Sequence, residues 1–292
     1  MKIVKNILIL VIILIVAHLL AKLIGTQLAL QHNEQSRHKT VTPIGRKKNT
    51  ANPALEELLQ KAQNGDAKAQ ADLGTSYQMG VGVKQDYEKA FYWLNKAAEQ
   101  GFTMAYAILG QMYTLGQGVE QNDLKAAEYM AKAAEDGLAQ AELMLGVMYL
   151  AGQGVPRDDT QGLQLITSSA KKGYAPAQHA LAGMYNEGIG VQKSRDDAFE
   201  WYSLSAHQGW PYSQVLLAFM YAENGDYVES LKWNLLAEKN GQDLAFEISL
   251  LRKSLSSTQI QEAQSRADKF VAKPSSVPFT ADTLRGFRLN NL

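Results

Sequence analysis

The sequence predicts an all-α protein: a right-handed α/α superhelical solenoid of helix-turn-helix repeats, preceded by an N-terminal transmembrane or signal-anchor helix. Three observations support this prediction. Glycines recur every 36 residues, at Gly65, Gly101, Gly137, Gly173 and Gly209. The apolar residues between them follow the spacing of helical faces. An apolar run of about 20 residues lies ahead of the repeats, which is long enough to span a bilayer.

The N-terminal segment, residues 1–25, is predicted to be an uncleaved membrane anchor. Lys2 and Lys5 precede an apolar stretch that continues to Ile24. A cleaved signal peptide is the alternative, but the stretch is long for one and no small-x-small cleavage site follows it. The basic residues on the two sides do not decide the orientation. A short leader of this kind favours a cytoplasmic N-terminus, so we expect the rest of the chain to be periplasmic or extracytoplasmic.

Charge divides the chain into three parts. Residues 1–53 carry a net charge of +7, residues 54–251 carry −11, and residues 252–292 carry +4. An acidic body repels phosphate, so nucleic acid is not an expected partner. Residues 26–52 are polar and basic without periodicity, which is typical of a flexible linker. The chain has no cysteine, so disulfides, thiolate nucleophiles and Cys-bound zinc are excluded.

The repeats align in columns of matching residue types. A small residue, a leucine, a second small residue and a tyrosine recur at fixed offsets from each glycine. In repeat one these are Ala69, Leu73, Gly74 and Tyr77. Their spacing places them on one helical face. A G-x-G-V turn follows, and then a second apolar stripe around Trp93, so each repeat is predicted to be a pair of helices that must stack on its neighbours.

The clearest copy reads AQADLGTSYQMGVGVKQDYEKAFYWLNKAAEQG, from Ala69 to Gly101. This text resembles the Sel-one-like repeat family, which is related to tetratricopeptide repeats. The resemblance covers about residues 65–270. It implies a non-catalytic scaffold or adaptor that binds other proteins in a concave groove. Repeat three departs from the pattern at Gly162 and Leu165, so we expect looser packing there. Repeat five lacks the G-x-G-V turn.

These features give the predicted domain organisation. Its boundaries are an anchor at 1–25, a linker at 26–52, an N-terminal capping helix at 53–64, repeats at 65–100, 101–136, 137–172, 173–208 and 209–240, a C-terminal helix pair at 241–270 and a tail at 271–292. Ser257 or Thr258 is the expected N-cap of the last helix. The tail is expected either to be disordered or to lie back on the repeats.

No catalytic, cofactor or metal site is predicted. The G-x-G pairs follow helices and lack the third glycine of a dinucleotide loop. No two histidines have metal-ligand spacing on a helix. The acid pairs at Asp158 and Asp196 suit helix N-termini better than acid–base chemistry.

The predicted partner site is a protein-binding groove on the first helices of the repeats. Positions there that resemble the groove-facing positions of tetratricopeptide arrays are markedly apolar in repeats three and five, and apolar groups on a concave face mark partner sites. The candidate residues are Leu143, Val147, Leu150, His179, Tyr212, Val215 and Phe219. The alternative is that these side chains pack against the next helix.

The predicted function is a membrane-anchored adaptor for a partner protein, with no small-molecule substrate. An envelope enzyme or a cell-wall glycan-binding protein is the alternative. Glycan binding calls for exposed aromatic residues in a cleft, whereas the aromatic residues here mostly fall on the repeat columns and are expected in the core.

Overall fold

The computed structural model describes residues 53–273, which form thirteen α-helices and no strand. The predicted anchor, the linker and the tail beyond residue 273 lie outside this range. The helices are α1 (Pro53–Gln63), α2 (Ala67–Met79), α3 (Tyr87–Glu99), α4 (Thr103–Leu115), α5 (Asp123–Glu135), α6 (Ala139–Ala151), α7 (Asp159–Lys171), α8 (Ala175–Glu187), α9 (Arg195–His207), α10 (Pro211–Glu223), α11 (Tyr227–Lys239), α12 (Ala245–Ser254) and α13 (Ser257–Asp268).

The all-helical repeat architecture is confirmed. Helices α2 to α11 form five pairs, each at the place of a predicted repeat, and α1 stands ahead of them at the predicted capping position. The right-handed superhelix stays a prediction. No helix within residues 53–273 is both long and apolar enough to cross a membrane.

The second helix of each pair begins at a side-chain cap. Asp86, Asn122, Asp158, Ser194 and Asp226 each accept a hydrogen bond from a backbone N–H in the first helical turn. Such a cap satisfies one of the N–H groups that the helix itself leaves free. The predicted capping role of Asp158 is confirmed. The last helix, however, is capped by Ser256 in a capping box with Gln259, so the expectation of Ser257 or Thr258 was wrong.

Glycine lets the two helices of a pair approach closely in repeats one to three. A Cβ atom on Gly74 would lie 2.7 Å from Cγ of Leu94, and one on Gly146 would lie 2.8 Å from Cγ1 of Ile166. Real side chains do not come this near, so any larger residue would force the helices apart. In repeat three the same Cβ would be only 2.9 Å from the carbonyl oxygen of Gly162. The helices therefore approach at least as closely there as elsewhere, and the expectation of looser packing was wrong.

The turn glycines also serve close approach between repeats. A Cβ atom on Gly118 would overlap the backbone carbonyl of Tyr87, and one on Gly154 would overlap that of Asp123. The turn of one repeat therefore rests on the first residue of the second helix in the preceding repeat.

Buried glutamines at one position of repeats one, four and five join each of these repeats to the helix before it. Gln214 donates from Nε2 to the carbonyl of Ala206 at 3.2 Å, and its Oε1 accepts from Nδ2 of Asn240 at 3.0 Å. Gln70 and Gln178 make the equivalent pairs of bonds. The carbonyls that they reach lie in the last turn of a helix and also accept from the backbone N–H of the glycine that follows the helix, so each glutamine uses a second lone pair of the carbonyl oxygen.

Repeat three replaces this glutamine with Glu142. Its Oε1 accepts from Oγ of Ser168 at 2.8 Å and lies 3.0 Å from Nζ of Lys172. Lys172 stands at the position that Gln208 and Asn240 occupy in the next two repeats, so both partners have changed together. Oε2 of Glu142 is buried and has no hydrogen-bond partner within residues 53–273.

The described residues divide into two compact bodies. The N-terminal body comprises residues 53–141 and 147–157, and the C-terminal body comprises residues 142–146 and 158–273. In the N-terminal body, Leu94, Leu109 and Met112 are fully buried. The rings of Tyr113 and Tyr129 stack beside them, with their centroids 5.5 Å apart.

In the C-terminal body, the chain folds back after α13. The ring of Phe270 lies 5.5 Å from that of Trp233 and 6.0 Å from that of His207. The backbone N–H of Lys273 donates to the carbonyl of His207 at 3.1 Å. Of the two alternatives for the tail, residues 271–273 follow the second and lie against the repeats.

Replacing Gly146 with alanine should lower the free energy of unfolding by about 1–3 kcal/mol, because the new methyl group would meet Ile166 and the backbone of Gly162. Chemical denaturation measures the change. The matched control is Ala182→Gly, which alters the same column in repeat four and should cost no more than about 1 kcal/mol. Equal, small effects of both variants would contradict the close-approach argument.

Candidate protein-binding face

The structure divides the seven predicted groove residues by exposure. Leu143, Val147 and Leu150 are buried. Val215 is partly buried and packs on the core cluster of the C-terminal body that contains Leu231 and Ile248. His179 and Tyr212 are partly buried, and Phe219 is 59% exposed.

The structure brings His179 of α8 and Tyr212 of α10 together, with ring centroids 6.4 Å apart. Phe219 lies seven residues after Tyr212, on the same side of α10 and about 10 Å further along it. These three residues of the C-terminal body define what we call the candidate face.

A chain of hydrogen bonds fixes the ring of His179. Its Nδ1 lies 2.9 Å from Oγ of Ser213, which lies 2.8 Å from Oγ of Ser205, which lies 2.9 Å from the carbonyl oxygen of Ala175. Both serines are completely buried. The Nδ1 side of the imidazole is therefore held by hydroxyl groups that have no access to water.

This series of hydrogen bonds also fixes the tautomer of His179. The carbonyl of Ala175 can only accept, so Ser205 must give its one proton to it. Ser205 then accepts from Ser213, and Ser213 in turn accepts from Nδ1–H of His179. The neutral imidazole consequently carries its proton on Nδ1, and Nε2 keeps a free lone pair. Nε2 receives no hydrogen bond from the part of the chain that the structure describes.

Sequence reasoning missed Tyr202, which completes the site. Tyr202 lies on α9, and its ring is 5.4 Å from that of His179. A Cβ atom on Gly183 would meet the hydroxyl of Tyr202 at 3.6 Å and no other atom within 4 Å. Gly183 follows His179 by four residues on α8, so both lie on one side of that helix. The hydroxyl thus reaches the side of α8 that carries His179.

A signal for Tyr202 was present in the sequence. Its position holds Leu94, Met130 and Ile166 in repeats one to three. The position of Gly183 holds Thr75, Gln111 and Val147 in the same repeats. The change to a larger side chain at Tyr202 and to a smaller one at Gly183 indicates that the side chain of the second helix extends past the first helix at this point.

Burial keeps both groups neutral near pH 7. The loss of water around the imidazole lowers the pKa of His179 to about 4. The same desolvation, with a smaller contribution from the carboxylate of Glu187, raises the pKa of the Tyr202 phenol above its usual range. The site therefore offers an uncharged acceptor at Nε2 and an uncharged hydroxyl.

Within residues 53–273, no three His, Asp or Glu side chains are placed to hold a metal ion together. The methionines that precede the repeat tyrosines, Met112, Met148, Met184 and Met220, are all buried. They belong to the core and not to an adaptable binding surface.

The family model of the Sel1 repeat matches four consecutive segments, residues 67–102, 103–138, 139–174 and 175–210. Each segment starts at the first residue of a first helix, two residues after the predicted repeat boundary. The chain is a Sel1 repeat protein. Helices α10 to α13 lie beyond the matched segments. No curated protein matches the chain.

Two solved structures resemble this Sel1 repeat protein. One is c5321, a protective antigen present in uropathogenic Escherichia coli strains that displays an SLR fold. It is 34% identical, with a TM-score of 0.64 over 74% of this chain and 48% of c5321. The other is a Sel1 repeat protein from Oxalobacter formigenes, 25% identical, with a TM-score of 0.62 over 80% of this chain and 93% of that one. The chain thus spans about half the length of c5321.

Membership of this family carries a general functional meaning. Sel1 repeat proteins are generally scaffolds for protein–protein interaction and are typically non-catalytic.

We expect His179 to be neutral at pH 5.5 and protonated on Nδ1, because burial lowers its pKa and the serine chain accepts from Nδ1. Long-range ¹H–¹⁵N correlation spectra of the chain labelled at histidine measure both properties, and loss of one signal in His179→Gln assigns it. Between pH 6.5 and 4 the unfolded chain binds a proton that folded His179 does not, so this group should lower the free energy of unfolding as the pH falls through that window.

Ser213→Ala is the matched variant, because it removes the acceptor for Nδ1–H and should redistribute the tautomers. A wild-type signal typical of an Nε2–H imidazole, or a titration near the ordinary value of about 6.5, would contradict the assignment.

Proposed function

We propose that this chain is a membrane-anchored, non-catalytic scaffold that binds a segment of a partner protein on the candidate face. The observation that carries the proposal is Phe219, an aromatic side chain 59% exposed on α10 of a Sel1 repeat protein, with Tyr212 two turns away on the same side. Solvent-exposed aromatic residues are frequent anchors of protein interfaces.

Val215 and His179 give the face its shape. Val215 lies between Tyr212 and Phe219 on α10 and packs against the core, so the surface between the two aromatic side chains is rigid. The ring of His179 borders Tyr212. A rigid floor with one protruding ring suits a partner segment that lies across α8 and α10 without a rearrangement of the scaffold.

The buried residues of the predicted groove have a different part in this proposal. Leu143, Val147 and Leu150 are packed away from water. A polar substitution at any of them would cost folding stability and would not report on binding alone. Phe219 is exposed, so a substitution there should weaken binding without lowering folding stability.

A photo-crosslinking amino acid in place of Phe219 should capture a protein in intact cells. The matched control carries the same amino acid in place of Leu124, which is also 59% exposed but lies on α5 in the N-terminal body. We expect one distinct crosslinked protein from position 219 and none of the same mass from position 124. Phe219→Ser should lose stoichiometric co-purification of that protein with an unchanged melting temperature, whereas Leu124→Ser should retain it.

Equal crosslinking from both positions, or recovery of cell-wall fragments in place of a protein, would overturn the proposed protein-binding face. Recovery of glycan would favour the cell-wall alternative.

Residues 1–25 are proposed to hold the scaffold at a bacterial-type membrane with its repeats outside the cytoplasm. The full-length chain should then stay in the membrane pellet after alkaline carbonate washing and keep its mass of 32.2 kDa. Deletion of residues 1–25 should release it, and protease added to spheroplasts should remove a C-terminal tag. A shorter, soluble mature chain would show a cleaved signal peptide, and a protected tag would show the opposite orientation.

A further inference from the structure

Repeat four carries two neutral hydrogen-bonding atoms that residues 53–273 leave without a hydrogen bond. Nε2 of His179 has a free lone pair, and the hydroxyl of Tyr202 makes no hydrogen bond within residues 53–273. Tyr202 is a buried residue. Burying a polar group without a partner costs free energy, so a ligand that bonds to both atoms would recover that cost on binding.

Exchanges of packing residues in repeat four make room for the side chain of Tyr202. In repeats one to three the residue at the Tyr202 position is aliphatic or methionine and packs onto the helix-facing glycine. In repeat four that glycine is replaced by Ala182, and the empty space moves one residue along to Gly183. The phenol fills the space beside Gly183, and its oxygen lies on the side of α8 that carries the imidazole.

The two atoms differ in what they can do. Nε2 of His179 can only accept, because the serine chain holds the proton on Nδ1. The hydroxyl of Tyr202 can donate. A ligand that satisfies both must offer a donor and an acceptor on one end, and it must be uncharged, because neither group brings a charge to balance one.

We propose that His179 and Tyr202 bind the side-chain carboxamide of an asparagine or glutamine in the partner segment. The amide N–H donates to Nε2 of His179, and the amide oxygen accepts from the hydroxyl of Tyr202. This inference rests on the proposed protein-binding function and names the chemistry that the candidate face selects.

Other groups of a protein fit less well. A carboxylate would set an oxygen against the lone pair of Nε2, and an ammonium group would leave the hydroxyl proton without an acceptor. A trans backbone amide points its N–H and its carbonyl in opposite directions, so one peptide group cannot reach both atoms from the same side. The primary carboxamide presents both at one end.

The position of Phe219 adds a second feature to the partner segment. Tyr212 borders His179, and Phe219 lies about 10 Å further along α10. An extended chain advances about 3.3 Å per residue. The segment should therefore carry an apolar residue roughly three positions from its asparagine or glutamine.

Selection of a phage-displayed random peptide library on the purified full-length chain in detergent micelles tests this inference. The selected peptides should share an asparagine or glutamine with an apolar residue about three positions away. For one synthetic selected peptide, Asn→Asp or Gln→Glu should weaken binding by at least about tenfold, the loss expected for a hydrogen bond removed together with an unfavourable charge.

Tyr202→Phe removes only the hydroxyl, which bonds to nothing within residues 53–273, so the melting temperature should not fall. The variant should weaken binding of the amide peptide by about tenfold and reduce the preference for amide over acid. The matched control is Tyr185→Phe, which removes a hydroxyl from a repeat-column tyrosine on α8 and should leave binding unchanged.

The outcomes separate this inference from the function on which it rests. Peptides that lose binding with Phe219→Ser but bind Tyr202→Phe normally, or that lack an amide residue, would overturn the carboxamide site and leave the protein-binding face standing. Failure of any library peptide to bind the wild-type chain would overturn both.

Discussion

The close approach of the two helices within a repeat is the constraint on which the rest of this structure depends. Gly74, Gly110 and Gly146 have no space for a methyl group, because the facing side chains and backbone carbonyls already fill it. A leucine, a methionine or an isoleucine of the second helix fits directly against the first. The two helices therefore pack as one rigid unit, with one side chain buried between them. A rigid unit of this kind presents a regular packing surface to the next repeat.

The candidate site arises where this constraint is relaxed. Repeat four has alanine in the glycine column, tyrosine in place of the aliphatic residue, and glycine at the adjoining position on the first helix. The same volume is redistributed, so the phenol oxygen reaches the side of α8 instead of ending between the helices. His179 occupies a position that is alanine, leucine or valine in the other repeats. A recognition site thus arises within a structural repeat through the exchange of packing residues at four positions.

Much of the fold follows from periodicity. The 36-residue spacing and the apolar columns predicted the all-helical repeat architecture, because each column repeats one packing environment. Periodicity could not reveal the glutamine connections, since a buried Gln178 looks like a surface residue until its partner carbonyl and its partner Gln208 are placed. It also could not rank the groove positions. Val147 and Phe219 hold the same repeat position, yet one is buried and the other exposed.

The pairing of His179 with Ser213 has the composition of a base and a nucleophile, but its geometry favours a binding role. A general base must take the proton of the serine that it activates. Here the direction of donation is the opposite. Nδ1–H of His179 donates to Ser213, and the hydroxyl of Ser213 donates to Ser205. Ser213 is also completely buried, so no substrate carbonyl could reach its oxygen. The same direction of donation that prevents activation of the serine leaves Nε2 with a lone pair of fixed orientation, which is what recognition of an external N–H requires.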